Sequence, residues 1–251
     1  MKKSILIIAI FLFFLSGCGM YIGEEKSEDF KTLSYQYDAY LDYDISEEKE
    51  FFELINQTMI EIMPSVVKVE ARIFSNLNIL LETRISSGVI YNQKLDEYFI
   101  LIDQNQTKIL PGQKIEFRVI DYMNNTHMAK HLYSDQTEPL TIISITSKYY
   151  HLKTIDISSH LPKVGEPVLL LGNHFSIQNA TSMGLITAYR ADLKRMYTSI
   201  PSDTLSHGGA IINNQLNLVG IQIELDDNQS IFITTDAILT VINYFEMSGQ
   251  E

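Results

Sequence analysis

From Ser65 onward the chain is cut into short runs dense in Ile, Val, Leu and Phe, and this punctuation constrains the fold more than any other feature. The runs are Ser65–Phe74, Ile79–Ile85, Gly88–Asn92, Tyr98–Asp103, Lys114–Tyr122, Leu140–Ile145, Pro167–Leu171, Met183–Tyr189, Gly209–Ile212, Leu218–Glu224 and Ser230–Thr234. Breaks such as Pro111-Gly112 and the polar stretch at Asn124-Asn125 separate them. Runs of this length, rich in β-branched residues and bounded by turn formers, read as strands. A helical run, Asp236–Phe245, closes the series. Many short strands in succession predict an all-β barrel or sandwich. No internal repeat and no second linker interrupts it. With 251 residues, 45% of them hydrophobic, the chain can bury a full core, and its 1 Cys excludes a disulfide-stapled scaffold.

The period differs before Pro64. Phe51, Phe52, Leu54, Ile55, Met59, Ile62 and Met63 recur at helical spacing until the proline. Ser46 can cap this helix, and Glu47 and Glu48 in its first turn suit the positive end of the dipole. Such a stripe is core packing in most helices. Upstream, Gly19–Asp44 is rich in Tyr and acidic residues with little apolar periodicity, which reads as a tether.

Lys2 and Lys3 precede an unbroken apolar run from Ile5 to Leu15, too short to span a bilayer as a stable helix and suited to the core of a signal peptide. It ends in Leu15-Ser16-Gly17-Cys18, which resembles a bacterial lipobox, so the resemblance implies lipidation of Cys18 and an extracytoplasmic, lipid-anchored protein. The expected organisation is a leader at 1–17, an acidic tether at 18–45, one domain at 46–246 and a tail at 247–251. The formal charge is −12, and losing Lys2 and Lys3 with the leader makes the rest more acidic still. Counterion release then has the wrong sign for a nucleic-acid partner, and attraction to anionic lipid cannot replace acyl chains as the anchor.

Within the strand-rich region a set of landmarks occurs in order: Ser65-Val66-Val67-Lys68-Val69, Ser87-Gly88-Val89-Ile90, Tyr98-Phe99-Ile100-Leu101, Lys163-Val164-Gly165-Glu166-Pro167-Val168, Leu171-Gly172-Asn173, Thr181-Ser182-Met183-Gly184-Leu185-Ile186-Thr187-Ala188 and Gly208-Gly209-Ala210-Ile211-Ile212-Asn213. Their order and spacing resemble trypsin-like serine proteases of the HtrA/Deg type over residues 50 to 246. The resemblance implies a trypsin-like double β-barrel with a short N-terminal helix and a C-terminal helix. These are scaffold signatures, and activity has to be argued from the site.

The resemblance places the catalytic base at Asn105, the orienting aspartate at Pro139 and the nucleophile at His207, just before Gly208-Gly209. An amide cannot take up a proton near neutral pH, and proline has no side-chain acceptor, although Glu138 is adjacent. Ser206 is an alternative nucleophile, but a shift of one residue in an extended segment turns a side chain to the other side, and Leu205 stands where the family has a glycine. An inactive serine-protease homologue is expected. His127 and His131 are four apart, a spacing that could hold zinc on a helix, but their neighbours read as strand and loop, so packing histidines are expected. His174 reads as a turn variant. No phosphate loop or cofactor site is recognisable, and only a short tail follows the last helix, so no PDZ domain is expected. Three functions remain open: a protein- or peptide-binding module, with Leu218–Glu224 as a strand edge beside the former substrate cleft; an atypical hydrolase using Ser206; and a structural subunit of a surface complex.

Overall fold

The computed structural model describes residue 56 and residues 59–148, 151–174, 177–201, 206–226 and 229–248. The expected leader, Cys18, the tether and most of the helical stripe before Pro64 lie outside them. Helical turns are present at 56 and 59–62, and Pro64 sits in a 3-10 turn, Met63–Ser65.

Six strands form the first barrel: β1 (Val66–Phe74), β2 (Leu80–Lys94), β3 (Glu97–Asp103), β4 (Lys114–Ile120), β5 (Thr126–Ser134) and β6 (Leu140–Thr146). They close in the order β1-β2-β3-β6-β5-β4. The second barrel contains β7 (Pro167–His174), β8 (Ile177–Arg190), β9 (Arg195–Pro201), β10 (Ala210–Ile212), β11 (Leu218–Asp226) and β12 (Gln229–Thr234), closing as β10-β11-β12-β9-β8-β7. Every pairing within the barrels is antiparallel. Helix α1 (Thr235–Ser248) ends the described chain.

The side-chain period of two sorts each strand between two environments. Val67, Val69, Ile100, Ile102 and Ile143 fill the first barrel, while Val168, Leu170, Ile211 and Phe232 fill the second. The alternate residues Val66, Val89, Leu101, Ile142, Leu171, Ile212 and Ile221 join Ile62 and the buried face of α1 in a third cluster shared by both barrels. A strand such as β3 is therefore buried on both faces, which is why Tyr98–Ile102 is unbroken in its hydrophobicity. Met59 and Met63 pack on the shared cluster, as expected of the stripe before Pro64.

The segment joining the barrels is tied to both. Ile155 N–H donates to Ile90 O at 3.0 Å in the first barrel, and Leu218 N–H, in the second, donates to Asp156 O at 2.8 Å. Two expectations are corrected here. The runs 79–85 and 88–92 are one strand, β2, because Ser86 and Ser87, which look like a polar break, are fully buried where the second barrel meets it. Strands β5 and β9 were not foreseen.

Candidate functional site

Strand β3 delivers Asp103, fully buried, to the place where the two barrels meet. Its backbone is extended and its carboxylate caps the 3-10 turn Gln104–Thr107, with Oδ1 accepting the Asn105 N–H at 3.0 Å. The other oxygen, Oδ2, lies 3.0 Å from Nδ1 of His207, whose side chain is 14% exposed. A carboxylate only accepts, so the ring donates from Nδ1. Its Nε2 is buried and has no hydrogen-bond partner among the described residues.

The turn carrying His207 is fixed by backbone bonds from two sides. Its carbonyl accepts the Ser87 N–H of β2 at 2.7 Å. Gly208 N–H donates to Gln222 O at 2.7 Å, and Gln222 N–H donates to Gly209 O at 3.0 Å, which ties the turn to β11. Gly208 has φ +80, and a Cβ there would run into the Ser87 carbonyl, so the approach of the two barrels requires glycine at this point. Nearby, Asn173 N–H donates to Ser87 Oγ and its side-chain amide to Ser86 O, both at 2.7 Å. A Cβ on Gly172 would meet Ser87 Oγ at 2.5 Å. The Leu171-Gly172-Asn173 signature thus staples the second barrel to β2.

The sequence-based assignments separate in space. Asn105 is exposed in the 3-10 turn, and its Oδ1 accepts from Lys108 Nζ at 2.7 Å. Pro139 sits before β6 with its carbonyl accepting the Gln104 N–H at 2.9 Å. The carboxylate next to it, Glu138, pairs with Arg195 of β9 at 3.0 Å. In the same turn Asp135 spends Oδ1 on the N–H groups of Thr137 and Glu138, each at 2.8 Å, so neither acid is directed to an imidazole. Ser206 is fully buried, and its carbonyl accepts the Gly209 N–H at 2.8 Å. The structure brings His207 to Asp103, a residue that reasoning from the sequence passed over. The one available signal was an aspartate ending a strand just before a turn, the pattern of a capping residue.

Strand β11 is not an edge along its whole length. Leu218, Gly220 and Ile221 pair with β10 on one side, and Gly220 to Asp226 pair with β12 on the other. Ala210 is the last β10 residue paired with β11, so among the described residues Glu224–Asp226 pair with β12 alone. The expected edge, Leu218–Glu224, is therefore wrong for Leu218–Ile221 and holds only at its last residue, Glu224, the one-sided pairing continuing into Leu225 and Asp226.

His127 and His131 turn to different partners. His127 Nε2 lies 3.2 Å from Asp121 Oδ2, whereas His131 stacks on Phe117 and its Nε2 is 2.9 Å from Ser134 Oγ. Asp121 also takes His151 Nε2 at 2.8 Å and Asn125 Nδ2 at 3.0 Å. Burial pushes the Asp121 carboxyl up, but the Asn125 amide, His151, the Asn125 N–H and His127 together outweigh it and hold the group at about 2.

No protein-family model matches the chain, and no curated protein matches it. Among solved structures it is similar to the crystal structure of the serine endoprotease from Yersinia pestis, at 23% identity and a TM-score of 0.63, over 77% of this chain and 67% of that one. At that identity the likeness carries the fold alone. Taken with the two closed six-stranded barrels, it identifies the chain's fold as the trypsin-like double β-barrel.

Proposed function

We propose that the domain is a non-catalytic trypsin-like module that holds an extended protein or peptide segment in the interbarrel cleft, and that acylation of Cys18 anchors it on the extracytoplasmic face of a bacterial membrane. The observation that carries the reading is the Asp103–His207 pair: at the position the resemblance assigns to the nucleophile, the chain has an imidazole bonded to a buried carboxylate. A hydrolase of this type needs an accessible hydroxyl and an oriented base, whereas Ser206 is fully buried and Asn105, at the position the resemblance gives to the base, is an amide. Binding needs less. The backbone of Glu224–Asp226, paired on one side among the described residues, offers donors and acceptors to an added strand, and the His207 turn is bonded to the same strand at Gln222.

Crosslinking and pull-down with the full chain test this reading. Ile223→Pro and His207→Leu should each reduce capture of an extended peptide several-fold when compared with the wild type at equal concentrations of folded protein, the matching being required because Ile223 packs in the core and His207 is the partner of buried Asp103. Unchanged capture by both folded variants would put the interface elsewhere and favour a structural subunit of a surface complex.

A further inference from the structure

At one end of the first barrel two adjacent loops present aliphatic side chains to solvent. The β1–β2 hairpin exposes Leu77, Ile79, Leu80 and Leu81, and the segment before β4 exposes Ile109 and Leu110, with Leu77 81% and Leu110 69% accessible. The loops are neighbours: the Asn76 amide lies beside Gly112, and Lys114 Nζ donates to Asn78 Oδ1 at 3.4 Å. Their backbones are fixed in this presentation. Ser75 Oγ accepts the N–H groups of Leu77 and Ile79, Leu110 N–H donates to Gln113 Oε1 at 2.9 Å, and Arg84 holds the Lys108 carbonyl at 2.6 Å. The apolar tips are therefore held outward.

The charge around the tips is opposite to that of the chain. Arg72, Arg84, Lys108 and Lys114 ring the patch, against Glu82, which pairs with Arg84, and Glu116, 4.0 Å from Arg72. This local excess of positive charge occurs in a chain whose formal net charge is −12. Aliphatic tips with a basic rim and no aromatic anchor suit the boundary between acyl chains and anionic headgroups better than a protein hot spot, which draws on Trp, Tyr and Arg. We propose that this face docks the domain onto an anionic lipid surface, Leu77 and Leu110 entering it and Lys108 and Lys114, whose ammonium groups meet only the amide oxygens of Asn105 and Asn78 among the described residues, reaching headgroup phosphates. The inference rests on the proposed anchoring at Cys18, which keeps a bilayer in reach: a chain as long as the tether expected at 18–45 can span up to about 90 Å, and tethering raises the effective concentration of a weak second contact.

The test uses the full chain with an environment-sensitive fluorescent amino acid in place of Leu77, Leu110 or, as a control, Leu95, which is 92% exposed in the turn at the other end of β2. Vesicles of phosphatidylglycerol and phosphatidylcholine carry a quencher on the acyl chains. The expected result is quenching at 77 and 110 several-fold above that at 95 in protein that floats with the vesicles. Quenching equal at all three positions in protein that floats, or failure of chain shown to be acylated to bring residues 77 and 110 into the quencher's reach, overturns the proposal. So does a shift at 77 that tracks protein concentration and yields crosslinks between residues 77, which assigns the patch to a second copy of the chain. Mass measurement of the N-terminal fragment reads Cys18 acylation separately, so a missing anchor is not mistaken for a patch that stays in water.

Discussion

Asp103 and His207, 104 positions apart in sequence, meet at 3.0 Å where β3 of the first barrel faces the turn before β10 of the second. The contact joins the barrels through side chains at the same place where Ser87 N–H and the His207 carbonyl join them through backbone. It also fixes the ring, so the position that the resemblance assigns to the nucleophile holds an imidazole locked where the barrels meet.

Removing the acid should therefore destabilise the whole domain. Asp103→Ala leaves the Asn105 N–H and His207 Nδ1 without their acceptor in a fully buried place, a loss of about 3 kcal/mol. Asp103→Asn keeps the shape and one acceptor oxygen, and the loss should be nearer 1 kcal/mol. Urea midpoints of the two variants measure the difference.

Glycine at 208 should be harder to replace than glycine at 165, although both have positive φ, +80 and +90. At 165 a Cβ meets nothing within 4 Å, so Gly165→Ala bears only the left-handed backbone strain, about 1 kcal/mol. At 208 the same Cβ collides with the Ser87 carbonyl, and the two barrels must move apart. Gly208→Ala should cost about 3 kcal/mol or more, read by thermal denaturation of both variants.

Acid should weaken the fold through Asp121. Its carboxyl is held at about 2 in the folded chain, below the value of about 4 expected when unfolded. The folded state therefore binds the proton less well, so the stabilisation is fully present above about pH 4 and is lost as pH falls towards 2. The shift corresponds to about 2 kcal/mol. Asp121→Asn should be less stable at pH 7 and show a shallower decline over that window, followed by denaturant midpoints at a series of pH values.

Cys18 should carry the anchor. Fatty-acid probe labelling of cells should mark the wild-type chain and not Cys18→Ala, and equal labelling of the two would refute acylation at this residue.

The double barrel was legible because several strands are buried on both faces, so that β3, the centre of β6 and Ile231–Ile233 of β12 run apolar, while β1 alternates apolar residues with Lys68, Glu70 and Arg72 in the strand period of two. Strand β5 was not, because Thr126–Ser134 carries two histidines and a lysine with most of its side chains at least partly exposed, so no alternation stands out. Strand β9 does alternate, but Thr198 takes one of its buried positions between Met196 and Ile200, and Pro201 ends it like a loop. Ser86 and Ser87 hid the continuity of β2, since a serine buried to bond Asn173 across the barrels looks the same in sequence as one in a turn. The site was legible only in part. His207 could be found from the glycines that follow it, whereas its partnership with Asp103 depends on how two barrels meet, and no local pattern records that.

The central claim, a cleft that holds an extended segment without cutting it, is tested most directly by incubating the full chain with a mixture of unstructured peptides and reading retention and cleavage together by mass spectrometry. The account predicts peptides retained by the wild type, released by His207→Leu, and carrying no new termini after long incubation, since triad-deleted sites of this kind retain only weak residual catalysis. New termini that accumulate with the wild type and disappear with Ser206→Ala would contradict it.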